Sequence, residues 1–208
     1  MMRRHLLAVA LSIVVLLLVR QLYPYVSGNE PTVIDGYEIT HVASDLGGPT
    51  CLVWADEIHL LICDRDRGTV TEYNLETEQR RTLLSGLDRP HGLVLSDGHA
   101  YVSEAGRLTA YNVSVDGMFV EGRVLVEGVP VGNHQTNTVD MMPNGTLLWH
   151  SGSTCNVCDE SDARNAALLW VNASTGEHGV LVNGVRNSFD GVWVDGHGYF
   201  FTDNGRDW

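Results

Sequence analysis

After Val26 the apolar residues fall into short runs of four to seven, many alternating with polar positions, and clusters of Asp, Gly and Asn separate the runs. Alternation with a period of two is the mark of a strand with one buried face, and the Gly and Asn clusters are turn chemistry. No helical period interrupts the pattern. The runs group in fours. The first four are "PTCLVW", "IHLLICD", "GTVTEYN" and "QRRTLL"; the next are "HGLVLS", "HAYVSE", "GRLTAYN" and "EGRVLVE". A third set reads "NTVDMM", "GTLLWHS", "AALLWVN" and "HGVLVN", and a fourth opens with "FDGVWV" and "GYFFTD".

The same kind of junction precedes each set: Gly47-Gly48-Pro49, "SGLDRPHGL" from Ser85, "EGVPVGNHQ" from Glu127 and "NGVRNSFDG" from Asn183. Gly86 and Gly128 stand 42 positions apart, the repeat length of a four-stranded propeller blade. The step from Gly128 to Gly184 is 56, and the excess falls at "GSTCNVCDESDARN". An insertion on one loop of a regular scaffold is a place where function collects. The pattern therefore predicts an all-β chain, a β-propeller of about three and a half four-stranded blades over residues 29–208, forming part of a longer ring. A two-sheet sandwich is the alternative architecture.

The first 28 residues follow a different pattern. A basic start, "MMRRH", leads into the apolar run Leu6–Val19 and then Arg20. The run is short for a membrane span, which needs ~20 residues, and suits either a signal peptide or an uncleaved N-terminal anchor. Both place the remainder outside the cytoplasm, and three sequons, at Asn112, Asn144 and Asn172, agree with that location. Charge narrows the partners. The 208 residues carry 13 basic and 26 acidic side chains, a formal charge of −13, and every basic residue is Arg. Such a surface argues against nucleic acid or an anionic membrane as partner, leaving the N-terminal segment as the one membrane contact.

The junction loops carry a resemblance. "GNHQ" before one first strand, "GVRNSFDGVWV" opening the next blade and "TDNGRDW" after its second strand resemble the PQQ-dependent sugar dehydrogenases. That family includes soluble quinoprotein glucose dehydrogenase, aldose sugar dehydrogenase and L-sorbosone dehydrogenase. "PHGLVL" at Pro90 and "GSTCNVCDESDARNAALLWVN" are most similar to the sorbosone branch. The resemblance runs from Gly47 to Trp208 and implies a six-bladed propeller with pyrroloquinoline quinone (PQQ) and calcium at the top of the ring. It implies oxidation of a sugar hydroxyl or aldehyde group, with His134 as the general base. A neutral imidazole suits that task because its ordinary pKa lies near neutrality. Arg186 and Asn187 match a pair that contacts PQQ, whose carboxylates and quinone oxygens suit a planar guanidinium. The backbone carbonyls of Gly205 and Arg206 match positions that help hold calcium, a cation that takes such ligands. Asn137 stands where the family commonly has an Arg, and Ser188-Phe189-Asp190 departs from a Pro-containing continuation. His91 is a second histidine at a blade mouth.

The cysteines complete the reading. "CNVC" lacks the His of a haem attachment site and the helix of a redox motif, and no further zinc ligands stand near it. Outside the cytoplasm a local Cys155–Cys158 disulfide follows. Cys51 and Cys63 face each other if Asp56-Glu57-Ile58 form the turn of a hairpin, at a separation that permits a bridge. Two other function classes remain compatible with the sequence: a metal-dependent propeller hydrolase or lactonase drawing on Asp140, Asp190 and Asn204, and a propeller binding module without chemistry.

Overall fold

The computed structural model describes residues 12–18, 32–134 and 136–206. The chain divides into two units, Met1–Val42 and Ala43–Trp208. In the first, residues 12–18 are helical, and Tyr37 N donates to Ile34 O at 3.2 Å to close a turn. Among the described residues no helix is long and apolar enough to cross a membrane. The rest of the expected signal or anchor segment, residues 1–11 and 19–28, lies outside the described residues.

The second unit is built entirely from antiparallel strands. The first blade contains β1 (Pro49–Trp54), β2 (His59–Asp64), β3 (Thr69–Asn74) and β4 (Arg80–Leu84). The second contains β5 (Gly92–Ser96), β6 (His99–Glu104), β7 (Arg107–Val113) and β8 (Phe119–Val126). The third contains β9 (Thr136–Met141), β10 (Thr146–Ser151), β11 (Ala167–Asn172) and β12 (His178–Asn183), and the two-stranded fourth contains β13 (Gly191–Val194) and β14 (Gly198–Phe201). Strand order within each sheet follows chain order, giving the up-and-down meander of a propeller blade. Each of the fourteen runs read from the alternation is a strand, with boundaries shifted by no more than two residues.

Two clusters of side chains hold the blades face to face. Leu61, Val70 and Leu83 of the first blade meet Leu93, Val102 and Phe119 of the second. Tyr101, Leu108 and Val126 meet Leu147, Trp149 and Leu169 between the second and third. Trp149 is fully buried, and its indole N–H donates to Ser103 Oγ at 2.8 Å. Each large apolar side chain so buried contributes roughly 1.5–3 kcal/mol, and the bond to Ser103 satisfies the buried indole N–H.

A backbone latch recurs between blades. The residue before β3 or its counterpart accepts a hydrogen bond from the following junction: Leu87 N donates to Gly68 O at 3.0 Å, Val129 N to Gly106 O at 3.2 Å, and Val185 N to Ala166 O at 2.9 Å. All three acceptors sit at positive φ. A Cβ on Gly68 or Gly106 would approach the carbonyl oxygen of Leu87 or Val129 to 2.4 Å, so the close approach of the next blade demands glycine there.

A second repeat is carboxylate-based. Asp64, at the end of β2, accepts from Gly47 N at 2.8 Å. Glu104, at the end of β6, accepts from Asp88 N at 2.8 Å. Asp203, just after β14, accepts from Arg186 N at 3.3 Å and Asn187 N at 2.7 Å. In these three blades, the first, second and fourth, an acid at the end of the second strand ties down the amides of the junction entering that blade. An Arg stands three positions on, as Arg67, Arg107 and Arg206, and the first two reach back to their acids at 3.2 and 2.7 Å. The third blade breaks the rule. Ser151 replaces the acid, and the inserted loop supplies Glu160, which accepts from Thr154 N at 2.8 Å and Thr154 Oγ1 at 2.7 Å.

Candidate functional site

The third and fourth junctions meet across a cavity of about 380 Å³, whose lining includes Arg65, Arg89, His91, His134, Asn137 and Asn187. His134 is half-buried, and its backbone N donates to Ser153 O at 3.1 Å. Asn133 N likewise donates to Thr154 O at 2.9 Å. The inserted loop therefore forms the wall that holds the "GNH" segment in place. Its contact is close, since a Cβ on Gly132 would lie 2.0 Å from Thr154 O.

Asn137 explains its own departure from the family pattern. It is 1 % exposed. Its amide nitrogen donates to Asn187 Oδ1 at 3.1 Å and to Ser188 O at 2.5 Å. The side chain is a strut between blades three and four that fixes Asn187 at the cavity. An Arg could not be held in the same space without a different partner for its charge.

Arg186 and Asn187 diverge. Asn187 lines the cavity, whereas the Arg186 guanidinium turns to neighbouring loops. Its Nε donates to Asn156 O at 3.0 Å and its Nη2 to Asn156 Oδ1. Its Nη1 donates to Asn204 O at 3.0 Å and Gly205 O at 2.8 Å. The Gly205 carbonyl, expected from the resemblance to face calcium, therefore faces a guanidinium. The "DNGR" run also has a blade-level explanation, because it repeats the acid-x-x-Arg pattern of Asp64–Arg67 and Glu104–Arg107.

A second cavity, about 580 Å³, is lined by residues from the first strand of every blade, among them Thr50, Leu93, Thr138, Asp140 and Gly191, with His91 and Asp190 beside them. Behind Asp140 runs a relay between blades three and four, buried at Ser188 and His150 and half-buried at Tyr199 and Asp140. Ser188 Oγ lies 2.7 Å from His150 Nδ1, His150 Nε2 lies 2.7 Å from Tyr199 Oη, and Tyr199 Oη donates to Asp140 Oδ2. One proton arrangement satisfies every atom: Ser188 donates to Nδ1, the Nε2–H donates to Tyr199, and Tyr199 donates to an ionised Asp140. Burial pushes the Asp140 carboxyl up to about 6, Tyr199's hydrogen bond opposes this and Asp190's charge adds to it. Burial holds His150 down to about 4 and, with its bond to Asp140, pushes the Tyr199 phenol up. The 3.7 Å approach of His150 Nε2 to Asp140 is thus not an ion pair, since the imidazole is neutral.

His91 is also buried, stacks edge-on against Phe189 at 5.4 Å, and is held down to about 4 by burial and then by the charge of Arg65. It lines both cavities, but its environment opposes taking up a proton.

Both disulfides are present: Cys51–Cys63 across the β1–β2 pair, where the two residues stand in register, and Cys155–Cys158 within the inserted loop. Among the described residues, His, Cys, Asp and Glu side chains gather into a metal-sized group only at Cys155, Cys158 and Glu160, where the two sulfurs are bonded to each other. Neither Asp140 nor Asp190 falls in a metal-sized group of His, Cys, Asp and Glu side chains among the described residues. Asn156, Asp203, Arg65 and Arg89 were not read from the sequence as site residues. Asp203 was recoverable from the acid repeat. Asn156, by contrast, meets Arg186 thirty positions away, a contact no local pattern announces.

Residues 31–205 match the TrAA12-like family model. No curated protein matches the sequence significantly. The fold is similar to that of the PQQ-bound form of aldose sugar dehydrogenase from Streptomyces coelicolor, at 20% identity and a TM-score of 0.69, covering 81% of this chain and 60% of that one. It is similar to the iodide structure of the Trichoderma reesei carbohydrate-active enzyme of family AA12, at 22% identity and a TM-score of 0.72, covering 85% of this chain and 50% of that one. The calcium structure of the same family in Trichoderma reesei aligns at 22% identity and a TM-score of 0.59, covering 76% and 42%. The chain thus spans 50–60% of the length of the first two structures.

Proposed function

The chain belongs to the TrAA12-like family, a family of PQQ-dependent oxidoreductases, and from that premise we propose that it oxidises a sugar with His134 as general base, outside the cytoplasm. The observation that carries this reading is the cavity in which His134 and Asn187, from successive junctions, meet two arginines and a buried amide strut. The lining fits PQQ through Arg65 and Arg89: each pairs through Nε with its neighbouring aspartate, Asp66 at 2.8 Å and Asp88 at 2.9 Å, and would meet the carboxylates of PQQ with its Nη groups, while Asn187 adds an amide. PQQ, when bound, supplies a two-electron acceptor for the sugar's hydride.

The chain's own part is to position and to move a proton. Asn137 holds Asn187, and the inserted loop holds His134 through the backbone of Ser153 and Thr154. An imidazole nitrogen of His134 takes the proton of the sugar hydroxyl as hydride departs. Burial and then the charge of Arg65 disfavour the charged form of His91, which argues against His91 as the base. Arg186 directly precedes Asn187, but its guanidinium is held by Asn156 and by the Asn204 and Gly205 carbonyls, outside the lining of the cavity. Calcium fits less simply. Gly205 O already accepts from Arg186 Nη1 at 2.8 Å, so if the Gly205 and Arg206 carbonyls were to hold calcium, that side chain would have to turn away.

Two disulfides fit an oxidising compartment, in keeping with export. The sorbosone-like motifs support a sugar or sugar-derived aldehyde as substrate. The test is anaerobic single-turnover reduction of PQQ by a panel of aldoses and sorbosone in the full-length protein. His134→Ala should slow reduction by roughly 10²–10⁴ with PQQ still bound, and His91→Ala by far less. Unchanged turnover in His134→Ala would remove the assignment.

A further inference from the structure

The inserted loop does more than wall the cavity. Its four residues Cys155-Asn156-Val157-Cys158 are closed by a disulfide, and Asn156, inside that ring, grips Arg186 twice, through its carbonyl at 3.0 Å and through its side-chain oxygen. The same loop reaches the other side of the site. Ser153 Oγ donates to Cys155 O at 2.7 Å, Ser153 N donates to Arg186 O at 2.8 Å, and Ser153 O accepts from His134 N at 3.1 Å. The segment from Ser153 to Asn156 thus joins Arg186 to His134 by hydrogen bonds, and the disulfide fixes the turn that presents Asn156. In the other complete blades an acid at the end of the second strand ties the junction amides directly. Here the acid is missing and the braced loop stands in its place.

We propose that Asn156 is the positioning residue of Arg186, and that the Cys155–Cys158 disulfide is its brace, one that a dithiol reductant can open. The assignment rests on the reading of Arg186 as a PQQ contact. The two disulfides differ in access at one sulfur: Cys51 and Cys155 are both half-buried, but Cys158 is exposed, whereas Cys63 is 0 % exposed. A reductant thiolate attacks Cys158 Sγ, the Sγ–Sγ bond breaks and Cys155 leaves as thiolate. The reductant's second thiol then releases Cys158, so that two electrons enter the pair and the reductant leaves as a disulfide. Released from its ring, Asn156 no longer has a fixed turn from which to hold Nε and Nη2 of the guanidinium, while the bonds of Nη1 to the Asn204 and Gly205 carbonyls stay in place.

The test compares Asn156→Ala, Asn156→Asp and the double variant Cys155→Ala/Cys158→Ala, which leaves Cys51–Cys63 intact, in the full-length protein. Two readouts are taken. The first needs no ligand: exchange of the Arg186 guanidinium N–H protons with water, followed by NMR. The second is the Kd for PQQ from a fluorescence titration. Exchange should accelerate about tenfold in Asn156→Ala and in the double variant, and PQQ affinity should fall about tenfold, the equivalent of one charge-assisted hydrogen bond. Asn156→Asp, which keeps an acceptor in place, should restore both. If exchange accelerates but the wild type binds no PQQ, the bracing stands and the functional reading falls. If the wild type binds PQQ and neither Asn156→Ala nor the double variant changes affinity or exchange, the positioning role is overturned. Asn156→Ala, a change in one half-buried surface amide, decides the matter should the double variant fold poorly.

Discussion

Replacing His150 with glutamine should flatten the acid side of the stability curve. His150 is fully buried between Ser188 and Tyr199, and burial lowers its pKa from 6.5 to about 4. The native state therefore resists a proton that the unfolded chain accepts. A lowered folded pKa means that stability is fully present above pH 6.5 and is lost as pH falls toward 4. At 1.36 kcal/mol per unit, the loss on moving from pH 7.5 to pH 4 is about 3 kcal/mol. Asp140 runs the other way, because its raised value of about 6 lets the native state take up a proton early, and this returns stability over the same window in both proteins. Glutamine keeps an N–H for Tyr199 and an oxygen for Ser188 but cannot titrate. Urea unfolding of wild type and His150→Gln at half-unit steps from pH 4 to 7.5 gives the comparison. The wild type should lose about 3 kcal/mol more than the variant across that range. Parallel curves would refute the claim that a buried neutral imidazole holds blades three and four together.

Other expected outcomes follow from the same contacts. Asn137→Ala strands the Ser188 carbonyl and frees Asn187, so it should cost about 2–3 kcal/mol in urea unfolding and weaken PQQ binding as well. Loss of Cys51–Cys63, which closes a separation of 12, should cost about 3 kcal/mol in the chain-entropy model, against about 2 for the shorter Cys155–Cys158 loop; calorimetry of the two double-serine variants ranks them, and a reversed order would contradict the assignment of the first as the stability bridge. Gly106→Ala places a methyl group 2.4 Å from Val129 O at a positive φ, and should destabilise by more than the usual ~1 kcal/mol of an unstrained change, read as a drop in Tm. Arg65→Gln and Arg89→Gln should each raise the Kd for PQQ several-fold with a smaller effect on turnover, since a carboxylate contact binds ground and transition states alike.

The strands were legible because sheets with one solvent-leaning face write their period directly into the sequence, and Gly, Asn and Asp mark where each hairpin reverses. The blade count followed from the junction glycines. The chemistry was legible only in part. His134 and Asn187 do share a cavity, and both cysteine pairs bridge, because hairpin register and a four-residue loop restrict where a sulfur can go. What the sequence concealed lies in contacts between distant loops. Asn137 looked like a missing arginine and is a strut. "TDNGRD" looked like a calcium segment, yet its aspartate does the work that Asp64 and Glu104 do in other blades. Asn156 sat inside a motif read for its sulfurs alone. Each of these is a tertiary partnership across 16 to 50 positions, where side-chain type constrains the partner's chemistry but not its identity.

The most direct test of the central claim is an equilibrium titration of the full-length protein with PQQ, followed by quinone absorbance, in wild type and Arg186→Ala. If PQQ is the cofactor and Arg186 contacts it, binding is saturable and one-to-one, at least tenfold weaker in the variant, and the bound quinone bleaches when an aldose is added without oxygen. A wild type that leaves the PQQ spectrum unchanged at millimolar protein, or that binds it equally well without Arg186, would contradict the claim.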